Sequence, residues 1–545
     1  MVENENKMKL KDKPDPKDRG EEEEAMTLIG RGQEDTSSDD DDKVMGSFEI
    51  ESWRKDSVSM GSDETQMENR TIQNLIQINT FELLKLAIPI ACTALFTRTM
   101  TATDLIVIGH FLDREGVAGV ALGNTLYNMF YFFIIGMATS ITTMCSQAHG
   151  ARSFEDVVQS AQRGFIILIV SALPIMILLA CIPEWILVHL MRQNPNVATL
   201  AAIYVRILLL GLPATIAFDV LVIFLQSQEI TMPYLYVSVV TSVCNIGLDL
   251  SLISSMGLTG APIATVLCQY LRLMLLSIYV YITGLHKNGD SFPGWQWQKI
   301  FEKTSTVKML RMALFGGLML CSEAVSFEIS TIFVGMLNSE LSLNSHFIML
   351  NFIGLMYQIF PMSIAIACNV RIGNLIGMRL QKSTKITAYL SICLGGISML
   401  ISALVCLFKR TAIGVMYSSD REVIEVIAEL SEIAAVFQVA DGIQSGAVGV
   451  LRGLGRQRIA AIITIFGFTL LGASSGFVFC FSFGYGLQGI WVGFNVGVIS
   501  AALLSCIAIM RTDWTSAMSF EKANDRKLYI RDSTTYEELS TDETL

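Results

Sequence analysis

The chain has 545 residues, 52% hydrophobic and 16% charged, with a mean hydropathy of +0.50 and a formal net charge of −11. Soluble domains carry about 25% charged residues, so this balance excludes a water-soluble globular protein and points to an all-α polytopic membrane protein resident in the lipid bilayer. Nucleic acid is not expected as a partner.

Residues 1–80 hold 11 Lys/Arg against 21 Asp/Glu, a net of 11 − 21 = −10, including EEEE at 21–24 and DDDD at 39–42. So polar a stretch cannot bury enough surface to offset the entropy of ordering, and a disordered acidic cytosolic tail is expected. No basic start followed by an apolar run occurs at its head, so no cleavable signal is expected. Twelve apolar stretches of spanning length follow, at 83–108, 121–145, 163–190, 199–225, 232–254, 258–285, 309–337, 345–370, 384–408, 428–451, 458–483 and 486–511. The expected organisation is a six-helix lobe at 81–285, a basic cytosolic loop at 286–308, a second six-helix lobe at 309–511 and a cytosolic tail at 512–545.

Setting Asn128 against Asn351 aligns Ser140 with Ser363, Ile141 with Ile364, Cys145 with Cys368 and Gly150 with Gly373 without a gap. This reads as an internal parallel repeat, an architecture in which transporters place their site between the halves. With both termini cytosolic, the inner loops hold 14 Lys/Arg and the outer loops five, the bias that sets orientation. The eleven cysteines include no CxxC pair, so neither zinc nor a disulfide framework is expected.

Charges inside spans carry the chemistry. Glu323 and Glu328 lie in the apolar stretch 312–337, Asp441 in the tenth span, and Asp104, Asn245 and Asp249 with Thr265 in the first half. A charge at the bilayer centre costs about 2.5 kcal/mol or more, so such acids are functional sites by default. Burial disfavours a carboxylate's charged form, so each can exchange a proton or, when ionised, hold a cation. Asn245 and Asp249, four residues apart, share a helix face. Glu323 and Glu328, five apart, diverge by roughly 140°. Asp104 has Arg98 as a possible structural partner, while Arg206 and Arg272 read as snorkelling or interface residues.

The order and spacing of LLKLAIPI, CSQAHGA, CNIGLD with GLTGAPIAT, CSEAVSFE, NVRIGNLIG and ADGIQSGAVGVLRGLGRQ resemble the multidrug and toxic compound extrusion (MATE) transporters, eukaryotic type, over about residues 83–511. The resemblance implies two six-helix lobes related by a pseudo-twofold repeat, and export of organic solutes in exchange for H⁺ or Na⁺ with no other cofactor. It implies an N-lobe ion site at Asp104, Asn245, Asp249 and Thr265, and proton and cation sites at Glu323, Glu328 and Asp441. Asn351 stands where animal members carry a glutamate. Three departures bear on cargo: Ala324-Val325 replaces the usual aromatic pair, the proline usual before the seventh span is missing at Phe315-Gly316-Gly317, and Gly472-Ala473 replaces Gly-Leu-Pro.

The expected function is a proton-driven antiporter of organic cations or other amphipathic solutes, working as a monomer and not an enzyme. Na⁺ coupling, organic-anion export, with Arg98, Arg206 and Arg272 as the available cations, and a non-transporting membrane scaffold are the alternatives. Glu24 with Leu28-Ile29 has the form of an acidic dileucine sorting signal, and Tyr536 with Leu539 that of a tyrosine-based one. Adaptor proteins are their expected readers, and an endolysosomal or vacuolar membrane the expected residence ahead of the plasma membrane.

Overall fold

A computed structural model describes residues 64–284, 295 and 297–519. Glu24, Leu28, Ile29, Tyr536 and Leu539, the acidic runs and most of the inter-lobe loop lie outside them. Twelve helical spans follow in order: α1 (Glu64–Phe111), α2 (Arg114–Gly150), α3 (Phe154–Cys181), α4 (Pro195–Leu209 with Leu212–Ser227), α5 (Met232–Met256) and α6 (Gly260–Ile282), then α7 (Lys303–Gly335), α8 (Glu340–Gly377), α9 (Gln381–Phe408), α10 (Arg421–Gly453), α11 (Gln457–Ser482) and α12 (Gly486–Met510).

By length and apolarity, nine described segments qualify as membrane spans, or ten with the bent α4 counted as one. One of these, Met232–Ile282, has 51 residues, about 77 Å of helix at 1.5 Å per residue against roughly 30 Å of hydrocarbon. It folds back at Gly257, whose φ of 62° suits glycine, into α5 and α6. Adding α10, whose charges hold down its apolarity, brings the count to twelve. The sequence placed the first span at 83 and read residues up to 80 as tail. Instead α1 runs from Glu64, because Leu75, Asn79, Leu83, Leu86 and Ile90 repeat at helical spacing on its more buried face.

Side-chain caps hold several helix starts, among them those of α2 and α10. Asp113 Oδ1 accepts from the Gly116 amide at 2.9 Å ahead of α2, and Asp420 Oδ1 from that of Glu422 at 3.0 Å ahead of α10. The prolines divide by position. Pro213 opens the second half of α4 after a 50° bend, and Pro361 opens the second half of α8. Pro233 and Pro262 occupy first turns, where no amide is lost. α11 widens to i→i+5 winding over Ile465–Ala473 and Val478–Ser482, an irregularity that often marks functional helices.

Each lobe has its own apolar core, and the first spans are exchanged between them. Leu83, Leu86, Ala87 and Ile90 of α1 join the C-lobe core with Ala367, Cys368 and Val450, while Met309 and Ala313 of α7 join the N-lobe core with Met137, Ile141 and Leu168. This reciprocity is what a twofold relation between lobes produces. Where α2 crosses α7 the backbones touch: a Cβ added to Gly136 would meet the Gly316 carbonyl at 2.5 Å, and one on Gly316 would meet that of Gly136 at 2.4 Å. Small residues allow such approach in membranes, where packing drives association. Gly316→Val should therefore cost roughly 1–3 kcal/mol by overpacking, seen as a lower melting temperature in detergent, whereas the same change at Gly354, which meets nothing within 4 Å, should leave it unchanged.

Candidate functional site

In the C-lobe, Glu323 from α7, Tyr357 from α8 and Asp441 and Arg452 from α10 line one cavity, with Gln444, Ser445, Thr464 and Phe468 completing its wall. The cavity holds about 10 Å³, close to the roughly 10–15 Å³ that admits a single water. Asp441 is 5% exposed, the Tyr357 hydroxyl lies beside Ser445, and one Arg452 Nη lies 4.0 Å from Met319 Sδ. Among the described residues both amide atoms of Gln444, Nε of Arg452 and Oγ1 of Thr464 are buried without a hydrogen-bond partner. A chamber with two carboxyls, one guanidinium and unspent polar atoms, yet room for about one water, suits a proton or hydronium rather than an organic solute.

The structure separates the two glutamates, as their spacing requires. Glu328 is exposed, and among the described residues no hydrogen bond or ion pair reaches it. Asn351 also stays out of the cluster: it is exposed and its amide donates to Phe347 O of its own helix at 2.9 Å. The α8 contribution comes from Tyr357, which sequence reasoning missed. Arg452 was read as a loop charge but is 8% exposed inside α10, and Arg163 and Arg371 are likewise buried, at 4% and 6%. Phe327, one residue before Glu328, centres an aromatic group with Phe437, Phe468 and Phe494 at 5.2–6.5 Å, so rings line this lobe despite Ala324-Val325. A larger apolar groove of about 490 Å³ runs along α9, α10 and α12, touching α10 at Val436, Ala440 and Ile443, and its one charge is Glu432.

In the N-lobe, Asp104 from α1 meets Asn245 and Asp249 from α5. With the amide oriented to satisfy its neighbours, Asn245 Nδ2 donates to Asp104 Oδ1 at 2.6 Å and Asp249 Oδ2 at 3.2 Å. The two carboxyls are also in hydrogen-bonding contact with each other, so this cluster can share a proton or chelate a cation. Asn245 and Asp249 are at most 1% exposed. Thr265 is not drawn in: its hydroxyl donates to Ala261 O at 3.1 Å. Cys268, one turn further along α6, lies beside Asn245 instead. Arg98 pairs with Gln358 of the other lobe rather than with Asp104. Arg206 forms a bidentate pair with Glu184, at 2.6 and 2.8 Å, on an exposed surface. Sequence reasoning also missed Asp219, an acid of α4 that accepts from Tyr131 Oη at 2.7 Å. An acid within an 18–25-residue apolar window was the signal available.

The lobes meet at the end where α1 begins and α12 finishes, through the segments that align in the repeat. A Cβ on Gly150 would meet Asn374 O at 2.0 Å, one on Gly373 would meet Ser146 Oγ at 1.8 Å, and one on Gly377 would meet Gln147 O at 2.2 Å. Thr143 Oγ1 donates to Arg452 O at 2.9 Å and Gln147 Nε2 to Gly453 O at 3.0 Å. Glu229, in the α4–α5 turn with a φ of 65°, accepts from Arg371 Nη1 at 3.0 Å and Asn374 Nδ2 at 2.9 Å. Burial alone would raise its pKa, but the Arg371 charge, with the Asn374 and Arg371 hydrogen bonds, outweighs this and holds Glu229 below the ordinary glutamate range. This closure therefore contributes fully above the ordinary glutamate pKa and is lost as pH falls through the lowered value.

Two six-helix lobes with exchanged first spans, closed at one end and holding a buried acidic cluster in each lobe, define a secondary-transporter fold. The MatE family model matches residues 89–250 and again 317–478, and the chain belongs to this family of membrane transporters. It is 28% identical to multidrug and toxin extrusion protein 1 of Danio rerio over 462 residues, 82% of this chain and 75% of that one. It is 30% identical to Protein DETOXIFICATION 37 of Arabidopsis thaliana over 465 residues, 84% of this chain and 90% of that one. The crystal structure of the eukaryotic MATE transporter AtDTX14 superposes with a TM-score of 0.76 at 23% identity, covering 83% of this chain and 99% of that one. The doubled family match shows an internal repeat, at an offset of 317 − 89 = 228 residues against the 351 − 128 = 223 of the ungapped register read from Asn128 and Asn351.

Glu229→Gln removes the charge that Arg371 holds. A reporter cysteine at Ser146, buried between the lobes, should then be labelled by a small maleimide about fivefold faster or more. With Glu229 intact, labelling of the same reporter, expressed relative to a free thiol at the same pH because only the thiolate reacts, should rise as pH falls below the ordinary glutamate range, and Glu229→Gln should abolish that rise. Equal rates in both proteins would show that the ion pair does not hold the closure.

Proposed function

We propose that this transporter is a secondary antiporter that expels organic cations or other amphipathic solutes in exchange for protons bound in the C-lobe chamber. The observation that carries this reading is the charge inventory of that chamber: two carboxyls, Glu323 and Asp441, face one guanidinium, Arg452. With both acids ionised the site carries one excess negative charge, and one proton removes it. In a low-dielectric interior, opposite charges separated by a few ångströms attract far more strongly than in water, so a cation approaching the chamber and a proton compete for the same excess charge. Glu328, exposed on α7 beyond the chamber, is the acid free to meet a cationic cargo. The names of the Danio rerio and Mus musculus relatives, multidrug and toxin extrusion proteins, support this class of cargo.

The closed end is proposed to face the cytosol. Setting aside the buried Arg163, Arg371 and Arg452 leaves 14 − 3 = 11 basic residues in the inner loops against five outside, so the bias persists. On that orientation the lobes are shut toward the cytosol, and loosening the Glu229 closure begins the return. An endolysosomal or vacuolar membrane, where a standing proton gradient exists, suits such an exchanger, with adaptors reading the tail signals and one chain as the transport unit. Na⁺ coupling is the second reading, favoured by one observation: the Asp104 and Asp249 carboxylates converge around Asn245 Nδ2 at 2.6 and 3.2 Å, and paired carboxylate oxygens suit a hard cation.

Uptake of a labelled quaternary amine into proteoliposomes under separately imposed pH and Na⁺ gradients distinguishes the two. The acid-interior gradient should drive accumulation, Glu323→Gln should reduce it at least tenfold, and Asp104→Asn should reduce it less. Indifference to collapse of the pH gradient, with uptake following Na⁺ and failing in Asp104→Asn, would move coupling to the N-lobe.

A further inference from the structure

Arg272 does not behave as an interface residue. It lies 12 residues from the start of α6 and 10 from its end, about 18 and 15 Å along the axis at 1.5 Å per residue, too deep for its side chain to reach water along the helix. Its guanidinium sits over the Phe218 ring, 4.7 Å from the centroid, and Nη2 donates to Thr215 Oγ1 at a long 3.3 Å. Its Nε is buried with no hydrogen-bond partner among the described residues, and so is the hydroxyl of Tyr127, itself 7% exposed. Tyr127 stacks on Tyr131 with ring centroids 6.0 Å apart, and Tyr131 holds Asp219. Arg272 and Asp219 are within electrostatic reach, yet no contact ion pair joins them among the described residues. Both side chains are partly exposed.

A permanent cation with an unspent donor, an acid set apart from it and the rings of Phe218, Tyr127 and Tyr131 together make a cluster of balanced but separated charge. We propose that Arg272 and Asp219 form a second N-lobe subsite, distinct from the Asp104 cluster, that takes an aromatic zwitterion: the partly exposed Arg272 guanidinium donates to its carboxylate, Asp219 receives its cationic group, and the neighbouring rings pack on its aromatic portion. Guanidinium suits this role because it stays charged and presents directional donors matched to carboxylate geometry. A cation alone would meet Arg272 repulsively and an anion alone would meet Asp219, so a zwitterion is the charge class that satisfies both. The inference deepens the reading of the protein as an exporter of amphipathic solutes and rests on it for cargo, but not on the coupling ion.

The test compares rhodamine B, a zwitterion, with its ethyl ester, a cation on the same ring system, by fluorescence anisotropy on the purified full-length protein. Arg272→Gln should weaken rhodamine B binding tenfold or more while leaving the cationic ester's affinity unchanged or tightening it, and Arg272→Lys should recover part of the loss. Because the single variant leaves Asp219 without its counter-charge, the Asp219→Asn/Arg272→Gln double variant is the folding control, and it should show the same selective loss. Equal weakening of both dyes in the double variant, or unchanged rhodamine B affinity, would overturn the subsite. Binding is read without any gradient, so failure here is separable from failure of proton coupling, which ester uptake under a pH gradient reports.

Discussion

A bilayer tolerates charge only where another charge or a hydrogen bond answers it, and the C-lobe chamber answers imperfectly. Arg452 can neutralise one of Glu323 and Asp441 but not both, and the space they enclose, about 10 Å³, leaves room for little more than water. The rest of the site follows from that imbalance. An excess charge of this kind is what the proposed proton exchange would answer, and the helices that build the chamber, α7, α8, α10 and α11, carry a glycine seam, a proline break, a line of small residues and widened winding. Such features let a helix shift without breaking its packing.

The closure between the lobes, which adjoins the chamber through Arg452, depends on the repeat. Ser146 and Gly150 of α2 meet Gly373 and Asn374 of α8, so residues that correspond between the halves face each other across the pseudo-axis. The first spans cross over reciprocally, α1 into the C-lobe core and α7 into the N-lobe core. Motion of one lobe therefore moves a helix seated in the other, which gives a mechanical route between the C-lobe chamber and the lobe that holds Asp104, Asn245 and Asp249.

Much of this was legible in the sequence because periodicity and charge are one-dimensional signals. The twelve spans, the repeat and the pairing of Asn245 with Asp249 all follow from spacing along a helix, and the divergence of Glu323 from Glu328 was a matter of helical angle. What the sequence concealed was lateral. Nothing in its spacing says that Tyr357 rather than Asn351 turns toward Asp441, that Cys268 rather than Thr265 reaches Asn245, or that Arg98 leaves Asp104 for Gln358. Arg163, Arg371 and Arg452 sit near span ends where a loop charge and a buried clamp look alike, and only packing separates them. Asp219 was the one missed feature with a one-dimensional signal, since it interrupts an apolar window as plainly as Glu323 does.

The central claim is that proton and cationic cargo compete for the excess charge around Glu323. Purified protein at near-neutral pH in weakly buffered solution, titrated with tetraphenylphosphonium while released protons are followed with a pH dye, tests it most directly. Binding should release protons from the unsubstituted protein, with release falling at least severalfold in Glu323→Gln and retained in Asp104→Asn. Cation binding with no proton release, or release unaffected by Glu323→Gln, would contradict the competition and leave the chamber a structural charge cluster.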